Sequence, residues 1–189
     1  MTNLRFTSDR VRLRAPEPAD VEAWQAFLND ERLFGRRYVP WGTRDVAPYS
    51  RAQVEAILET WGKEKKALHL AIEAPGHELV GHAGCHWGWD PHCPSAWVVV
   101  APDHQRQGIG SAVLDLLLTR LFEDTPAHNV NGWIASWNAS GLAFADEHGF
   151  ARSGCVPWSG LRAGQPFDEI MIDILKPEWL ARRGASHGA

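Results

Sequence analysis

The chain has 189 residues, of which 44% are hydrophobic and 22% charged, and its formal net charge at pH 7 is -4. This is the composition of an ordinary globular protein, and an acidic balance argues against nonspecific binding to nucleic acid, which needs a basic surface. No apolar stretch approaches the roughly 20 residues of a membrane-spanning helix, and the amino terminus lacks an apolar signal-peptide core. Three cysteines make no disulfide framework, so we expect a reduced, cytoplasmic protein that binds neither nucleic acid nor membrane.

The amino-terminal third carries the pattern of one strand and two helices. Residues 11–14 alternate apolar and basic side chains, as in a half-buried strand. Apolar side chains at helical spacing predict a helix over residues 21–28. A second helix is predicted to begin after Ser50, because Ser50 and Gln53 match a capping box. The loop between the helices, residues 34–49, is rich in glycine, proline and aromatic residues.

From Ala67 the hydrophobic period changes to two, which is typical of strands. Pro75-Gly76-His77 predicts a hairpin turn, with the second strand running from Leu79 to Trp89. The run Ala96–Val100 is short and wholly apolar, which is typical of a strand buried on both faces. The elements predicted after it are a helix with an apolar face from Ile109 to Leu121, a strand at Trp133–Trp137, a helix at Asn138–His148 ended by Gly149, a strand through Ile170, Ile172 and Ile174, and a polar tail from Ala181.

This order of elements predicts an α+β fold with a mixed sheet. No internal repeat and no linker divides the chain. Residues 1–180 are therefore predicted to form a single domain, followed by a flexible tail over residues 181–189.

The most informative segment lies between the apolar run and the helix that follows it. It reads Gln105-Arg106-Gln107-Gly108-Ile109-Gly110-Ser111. A glycine-rich loop that enters a helix exposes backbone N–H groups, and the helix dipole adds partial positive charge at the same point. Glycine at positions 108 and 110 lets an anion approach the backbone. The loop therefore favours a phosphate or pyrophosphate ligand.

Two common phosphate loops do not fit this segment. A Walker A loop needs a lysine after its last glycine, where this chain has Ser111. A Rossmann fingerprint needs a third small residue, and Val113 occupies that position. Taken alone, the two glycines fit an ordinary strand–helix turn equally well, because short glycine motifs match by chance.

The surrounding motifs favour a specific family. Gln105-x-x-Gly108-x-Gly110 resembles the Gln/Arg-x-x-Gly-x-Gly/Ala signature of the Gcn5-related N-acetyltransferases (GNAT). The segment from Asn138 to Phe144, running into Gly149-Phe150, is similar to the second motif of that family. The segments 8–14 and 174–179 resemble the ends of its RimJ/RimL-like branch. The resemblance implies a mixed sheet of about six to seven strands flanked by about four helices, as that family has.

The resemblance also implies an acetyl-CoA site and transfer of the acetyl group to a primary amine, which attacks the thioester directly. The backbone of Val98, Val99 and Val100 would pair with the pantetheine arm, Asn138 and Phe144 would flank its far end, and an N–H near Val99 would stabilise the oxyanion. The N–H groups around the pyrophosphate would come from the loop, whose implied cofactor-binding residues are Gln105, Arg106, Gln107, Gly108, Ile109, Gly110 and Ser111.

The catalytic acid and base do not carry over from the family. The position of its usual proton-donating Tyr is Ala145, the Ser of the RimL-like branch is Gly141, and the Glu at the start of the fourth strand is Ser95. Among nearby titratable residues we choose His86 as a candidate base, because the pKa range of histidine suits the task. A merely structural strand histidine is the competing interpretation.

Other features leave alternatives open. Cys85 and His86 point to opposite faces of a strand, so we predict no metal site. The acceptor is a protein N-terminus or a small-molecule amine, and an acidic protein attracts either cation. Because the usual catalytic residues are missing, a catalytically weak acyl-CoA-binding module is the alternative to an enzyme. Relatives in the RimJ/RimL-like branch form dimers, which leaves a homodimer open.

Overall fold

The computed structural model describes residues 6–33, 48–88 and 90–186. These residues form seven strands and five α-helices, which we label in chain order. The strands are β1 (Arg12–Arg14), β2 (Ala67–Ala74), β3 (His77–His86), β4 (Ser95–Val100), β5 (Asn129–Ala135), β6 (Ala151–Arg162) and β7 (Gln165–Leu175), and the helices are α1 (Val21–Leu28), α2 (Arg51–Lys63), α3 (Ile109–Asp124), α4 (Ala139–Glu147) and α5 (Lys176–Ser186).

The strands belong to one sheet in the order β1-β2-β3-β4-β5-β7-β6. Strand β4 pairs with β5 in parallel, whereas the pairs β1–β2, β2–β3, β5–β7 and β6–β7 are antiparallel. The predicted α+β fold with a mixed sheet is therefore confirmed. None of the helices within the described ranges has the length and apolarity to cross a membrane. The cytoplasmic location stays a prediction.

The chain divides into two compact units, and the first comprises the described residues of Met1–His86 and Trp97–Thr119. In it, β1 and β3 flank β2, with Leu13 opposite Ile72. Helices α1 and α2 contribute seven of the eleven buried side chains of an apolar core in this unit. This core consists of Val21, Trp24, Phe27, Leu28, Leu33, Tyr49, Val54, Ile57, Trp61, Ala71 and Val99.

The start of α2 confirms the predicted capping box. The Ser50 hydroxyl accepts a hydrogen bond from the Gln53 backbone N–H at 3.3 Å, and the Gln53 amide oxygen accepts from the Ser50 N–H at 2.8 Å. Two donors that a helix start leaves free are satisfied in this way. The predicted hairpin is also present, although its second strand ends at His86 rather than Trp89.

The second unit comprises the described residues of Trp87–Ala96 and Arg120–Ala189. Its central strand is β7, which has β5 on one side and β6 on the other. Helix α5 places Trp179 against Phe122, with 5.2 Å between the ring centroids. The Lys176 ammonium donates to the Phe122 carbonyl, which fixes the start of the same helix.

Three elements in this unit differ from the sequence expectation. The sequence pattern does not predict strand β6. Strand β5 begins at Asn129, four residues earlier than predicted. Helix α5 continues to Ser186 and so extends past Ala181, where the pattern predicts a tail. Pro177 lies in its first turn, where proline is tolerated because that N–H has no partner within the helix. The single-domain organisation stays a prediction.

Candidate functional site

The loop between β4 and α3 has a backbone conformation suited to an anion. Arg106 and Gly108 are left-handed, with φ of 59° and 77°, whereas Gln107 between them is not among the residues with positive φ. Such alternation turns successive N–H groups toward a common concave side. The first hydrogen bond of α3 runs from the Ala112 N–H to the Gly108 carbonyl at 3.1 Å. The N–H groups of the first helical turn, which precede Ala112, have no helical acceptor and add to this donor set.

Side chains of the same loop hold its backbone in place. The Gln105 side-chain amide donates to the Val100 carbonyl at 2.9 Å, and that of Gln107 donates to the Asp103 carbonyl at 3.1 Å. Arg32 in turn binds the Asp103 carboxylate through two hydrogen bonds, at 2.7 and 2.9 Å. The Arg32 guanidinium lowers the pKa of Asp103 below its usual value. Both glutamines of the motif thus stabilise the loop through backbone carbonyls.

The predicted pantetheine-binding residues lie in β4, at the start of this loop. Val99 is buried, whereas Val98 and Val100 are only half-buried. Of these three valines, only Val99 has the burial that a strand buried on both faces would give. At the other end of the strand, Ser95 is paired in register with Asn131 of β5, and the Ser95 hydroxyl donates to the Asn131 side-chain carbonyl. This hydrogen bond gives Ser95 a structural role.

A buried polar cluster lies on one face of β2 and β3. His69 and His82 expose only 5% and 0% of their surface. The His69 Nδ1 lies 3.3 Å from the His82 Nε2, and the His69 Nε2 lies 3.1 Å from a Glu64 carboxylate oxygen. Because a carboxylate only accepts, the His69 Nε2 carries the proton on that side. Trp61 stacks on both imidazoles, at centroid distances of 4.6 and 4.7 Å.

Burial controls the protonation of this cluster. Desolvation lowers the pKa of His82 well below 6.5, and the charge of His69 adds to that effect. Desolvation also lowers the pKa of His69, against the opposing hydrogen bond from Glu64. Both imidazoles are therefore neutral at pH 7, because a buried charge is costly.

The candidate base, His86, lies at the end of β3 and is half-buried. Side chains alternate along a strand, so His86 shares the face of His82. Gly84 lies between them, and a methyl group there would stand 2.5 Å from the Trp97 indole. The Trp97 ring thus covers the strip of β3 between the two histidines. His86 pairs in register with Ala67 of β2, two residues from His69 on the same face of that strand.

The second motif forms the amino-terminal end of α4. The Asn138 side-chain carbonyl accepts from the Gly141 N–H at 3.2 Å, so Asn138 is the cap of this helix. A methyl group on Gly141 would lie 2.6 Å from the Asn138 amide nitrogen. Ala145 is 2% exposed, and Phe144 is half-buried with its ring 4.2 Å from that of His148. The positions of the usual Ser and Tyr are therefore closely packed here.

The environment of Cys85 in β3 disfavours the thiolate form of its side chain. Cys85 is fully buried, and burial raises the pKa of its thiol to about 12. Throughout the described ranges, no group of three or more His, Cys, Asp and Glu side chains is placed to hold a metal ion.

Comparison with known proteins agrees with the fold. The family described as acetyltransferase (GNAT) domain matches residues 10–151. The chain belongs to this family and is an N-acetyltransferase that uses acetyl-CoA as its cosubstrate. The RimJ/RimL-like branch is a finer assignment than this match makes.

Solved structures show the same fold at low sequence identity. A probable acetyltransferase is 22% identical with a TM-score of 0.78, over 91% of this chain and 96% of that one. The spermidine N-acetyltransferase from Vibrio cholerae, in complex with CoA and spermine, is 19% identical with a TM-score of 0.77, over 92% and 99%. An acetyltransferase of the GNAT family from Bacillus anthracis is 20% identical with a TM-score of 0.75, over 91% and 98%.

Proposed function

We propose that this protein transfers the acetyl group of acetyl-CoA to a primary amine, and that the loop Gln105–Ser111 holds the pyrophosphate of the cosubstrate. We further propose that it belongs to the RimJ/RimL-like branch, on the resemblance of segments 8–14 and 174–179. The acceptor is then a protein N-terminus or a small-molecule amine.

The alternating conformation of Arg106, Gln107 and Gly108 is the observation that carries this proposal. This loop has two left-handed residues, Arg106 and Gly108, and the φ of Gln107 between them is not positive. Arg106 adopts φ of 59° without being a glycine, and an ordinary residue in that region is strained. A backbone that converges its N–H groups at a helix amino terminus fits a pyrophosphate.

Three further groups are proposed around the cosubstrate. The backbone of Val98–Val100 would pair with the pantetheine arm, and the N–H near Val99 would bind the oxyanion. Asn138 and Phe144 are assigned only through the resemblance. The cap role of Asn138 gives it a structural function that competes with this assignment.

The reaction has a simple balance of bonds. Acetyl-CoA supplies a thioester carbonyl, the amine lone pair forms the C–N bond, and the C–S bond breaks with its electron pair on sulfur. The substrate ammonium must first lose one proton to a base, and after the attack the nitrogen loses a second, which balances the proton that the thiolate product gains. His86 is the proposed base for the first transfer, because it is half-buried and lies on the face that Trp97 also occupies.

Steady-state thiol release with a panel of amines tests the proposal. The panel combines peptides with different amino-terminal residues, spermidine and an aminoglycoside, with acetyl-CoA held at saturation. We expect thiol release that depends on one amine class, with acetylation of that amine confirmed by mass spectrometry. Replacing Gly110 in the loop by tryptophan would abolish CoA binding, whereas the same change at Gly62, which has open space around it, leaves binding unchanged.

A variant pair tests the proposed base separately. His86→Gln would lower kcat by a factor of about 100 or more, the usual effect of removing a general base. It would leave the KM for acetyl-CoA unchanged. His77→Gln, at the exposed start of the same strand, serves as the control. Equal kcat for the His86 variant and the wild type would assign His86 to the structure alone.

A catalytically weak acyl-CoA-binding module is the second candidate. It is favoured by the packing at the two positions of the usual catalytic side chains: a methyl group on Gly141 would lie 2.6 Å from the Asn138 amide nitrogen, and Ala145 is 2% exposed. Tight CoA binding without turnover of any amine in the panel would establish this candidate. Turnover of one amine would eliminate it.

A further inference from the structure

An arginine from the amino-terminal segment reaches the loop across 97 positions of sequence. The Arg10 Nη1 donates to the Gln107 carbonyl at 3.2 Å. The same Nη1 lies 3.3 Å from the point where a Cβ on Gly108 would stand. The guanidinium therefore lies against the two residues at which the backbone changes from one φ sign to the other.

The planarity of the peptide bond gives this contact a consequence for the neighbouring N–H. In a trans peptide, the C=O of Gln107 and the N–H of Gly108 point in opposite directions. A donor that holds the carbonyl on one side thus holds the N–H on the other. Rotation of this peptide would reverse both groups and destroy the concave arrangement of donors. Arg10 opposes that rotation.

A tight turn fixes the backbone from which Arg10 extends. The Ser8 N–H donates to the Val11 carbonyl at 2.8 Å, and the Ser8 hydroxyl accepts from the N–H groups of both Arg10 and Val11, each at 3.3 Å. The residues on either side of this turn, Thr7 and Arg12, form a β-bridge. Because the backbone of Arg10 is held in this turn, less conformational entropy is lost when its guanidinium contacts the loop.

We propose that Arg10 is a positioning residue for phosphate binding, which orients the Gln107–Gly108 peptide and places a positive charge beside the loop. This inference rests on the proposed role of the loop as the pyrophosphate site. Arg10 acts through the backbone of Gly108, and its guanidinium charge strengthens the same anion site.

The test compares three ligands in three variants. Arg10→Met removes both the donor and the charge, whereas Arg10→Lys keeps both. Arg12→Met removes an equal charge from β1, where Arg12 makes an ion pair with Glu73 at 3.6 Å. Calorimetry measures Kd for CoA and for dephospho-CoA, and kinetics measure KM for acetyl-pantetheine, a thioester without phosphates.

Arg10→Met is expected to raise the Kd of CoA about tenfold, the usual effect of losing one charge-assisted hydrogen bond. The Kd of dephospho-CoA would rise equally, since the pyrophosphate is common to both ligands. The KM for acetyl-pantetheine would not change. Arg10→Lys restores the affinity, and Arg12→Met resembles the wild type.

Three results would overturn the inference. Equal affinity of Arg10→Met and the wild type would remove Arg10 from the site. A loss for CoA but not for dephospho-CoA would place the guanidinium at the 3′-phosphate instead. A parallel rise in the KM for acetyl-pantetheine would reveal general structural damage. A different result would show that the loop does not hold the pyrophosphate. The wild type would then bind CoA no more tightly than acetyl-pantetheine, which lacks the phosphates.

Discussion

The left-handed conformation of Gly108 leads to a specific prediction for the variant Gly108→Ala. The φ of 77° is open to glycine, but alanine in this region is strained by about 1–2 kcal/mol. The new methyl group would also lie 3.3 Å from the Arg10 Nη1. That atom is the end of a flexible side chain, so it can move at little cost, and the backbone strain is the main effect.

This strain is expected to weaken CoA binding. The free protein relieves the strain by turning the Gln107–Gly108 peptide, and the ligand must then restore the strained form. A free energy of about 1–2 kcal/mol corresponds to a rise in Kd of roughly 5- to 30-fold. Gly76→Ala is a matched control, because Gly76 has φ of 80° and no atom near its missing methyl group. It carries the same strain in the hairpin of β2 and β3.

Two measurements on both variants separate the effects. Calorimetric titration gives Kd for CoA, and chemical denaturation gives the free energy of unfolding. We expect Gly76→Ala to lose stability with unchanged Kd, and Gly108→Ala to lose affinity. A wild-type Kd for Gly108→Ala, or an equal loss of affinity in Gly76→Ala, would refute the assignment of the loop.

Three further predictions concern the buried cluster, the covered glycine and the helix cap. Because burial lowers the pKa values of His69 and His82 below 6.5, the unfolded chain binds more protons below that pH. The free energy of unfolding should therefore be constant above pH 6.5 and fall by up to about 1.4 kcal/mol per pH unit for each histidine below it; a flat denaturation profile from pH 7 to 5 would contradict this. Gly84→Ala should cost about 3 kcal/mol in the same assay, because its methyl group would overlap a backbone carbonyl of the neighbouring strand, whereas Gly88→Ala, in open space, should be neutral. Asn138→Ala should cost about 1 kcal/mol of stability while Asn138→Asp keeps it, because aspartate also caps helices; equal losses in the two variants would argue against the cap.

Much of the fold follows from local signals in the sequence. The capping box at Ser50, the hairpin turn at Gly76 and the left-handed Gly149, with φ of 85°, are each a local requirement of the backbone. The position of the glycine loop was also predictable, because it separates an apolar run from an amphipathic helix. These features need no knowledge of distant contacts.

Strand β6 was not predictable in the same way. Gly154, Pro157 and Gly160 interrupt its alternation, and its register with β7 shifts between Arg152 and Gly154 and again between Val156 and Gly160. Most of its side chains are exposed, so it lacks the apolar period that marks a half-buried strand. Pairing with β7 is what makes this segment a strand.

The histidine cluster shows how much the hairpin register matters. A regular hairpin that pairs Ala74 with His77 would place His69 directly opposite His82. The bulge between Ile72 and Ala74 moves the register, so that Ala71 lies opposite His82 instead. The shift is an even number of residues, which keeps the two histidines on one face. The hairpin turn alone therefore predicts that His69 and His82 share one face.

The contact of Arg10 with the loop had no local signal. It joins residues 97 positions apart, and only the folded sheet brings the turn before β1 beside the start of α3. Arg10 lies in the segment 8–14, which resembles the RimJ/RimL-like branch. That resemblance does not indicate a contact between this segment and the loop.

A crystal structure of the protein with acetyl-CoA would test most directly whether the loop Gln105–Ser111 holds the pyrophosphate. We expect pyrophosphate oxygens within about 3 Å of the backbone N–H groups from Arg106 to Ser111. We also expect the Gln107 carbonyl to keep its hydrogen bond to Arg10. A pyrophosphate bound elsewhere, with no contact to this loop, would contradict the pyrophosphate-binding role of residues 105–111.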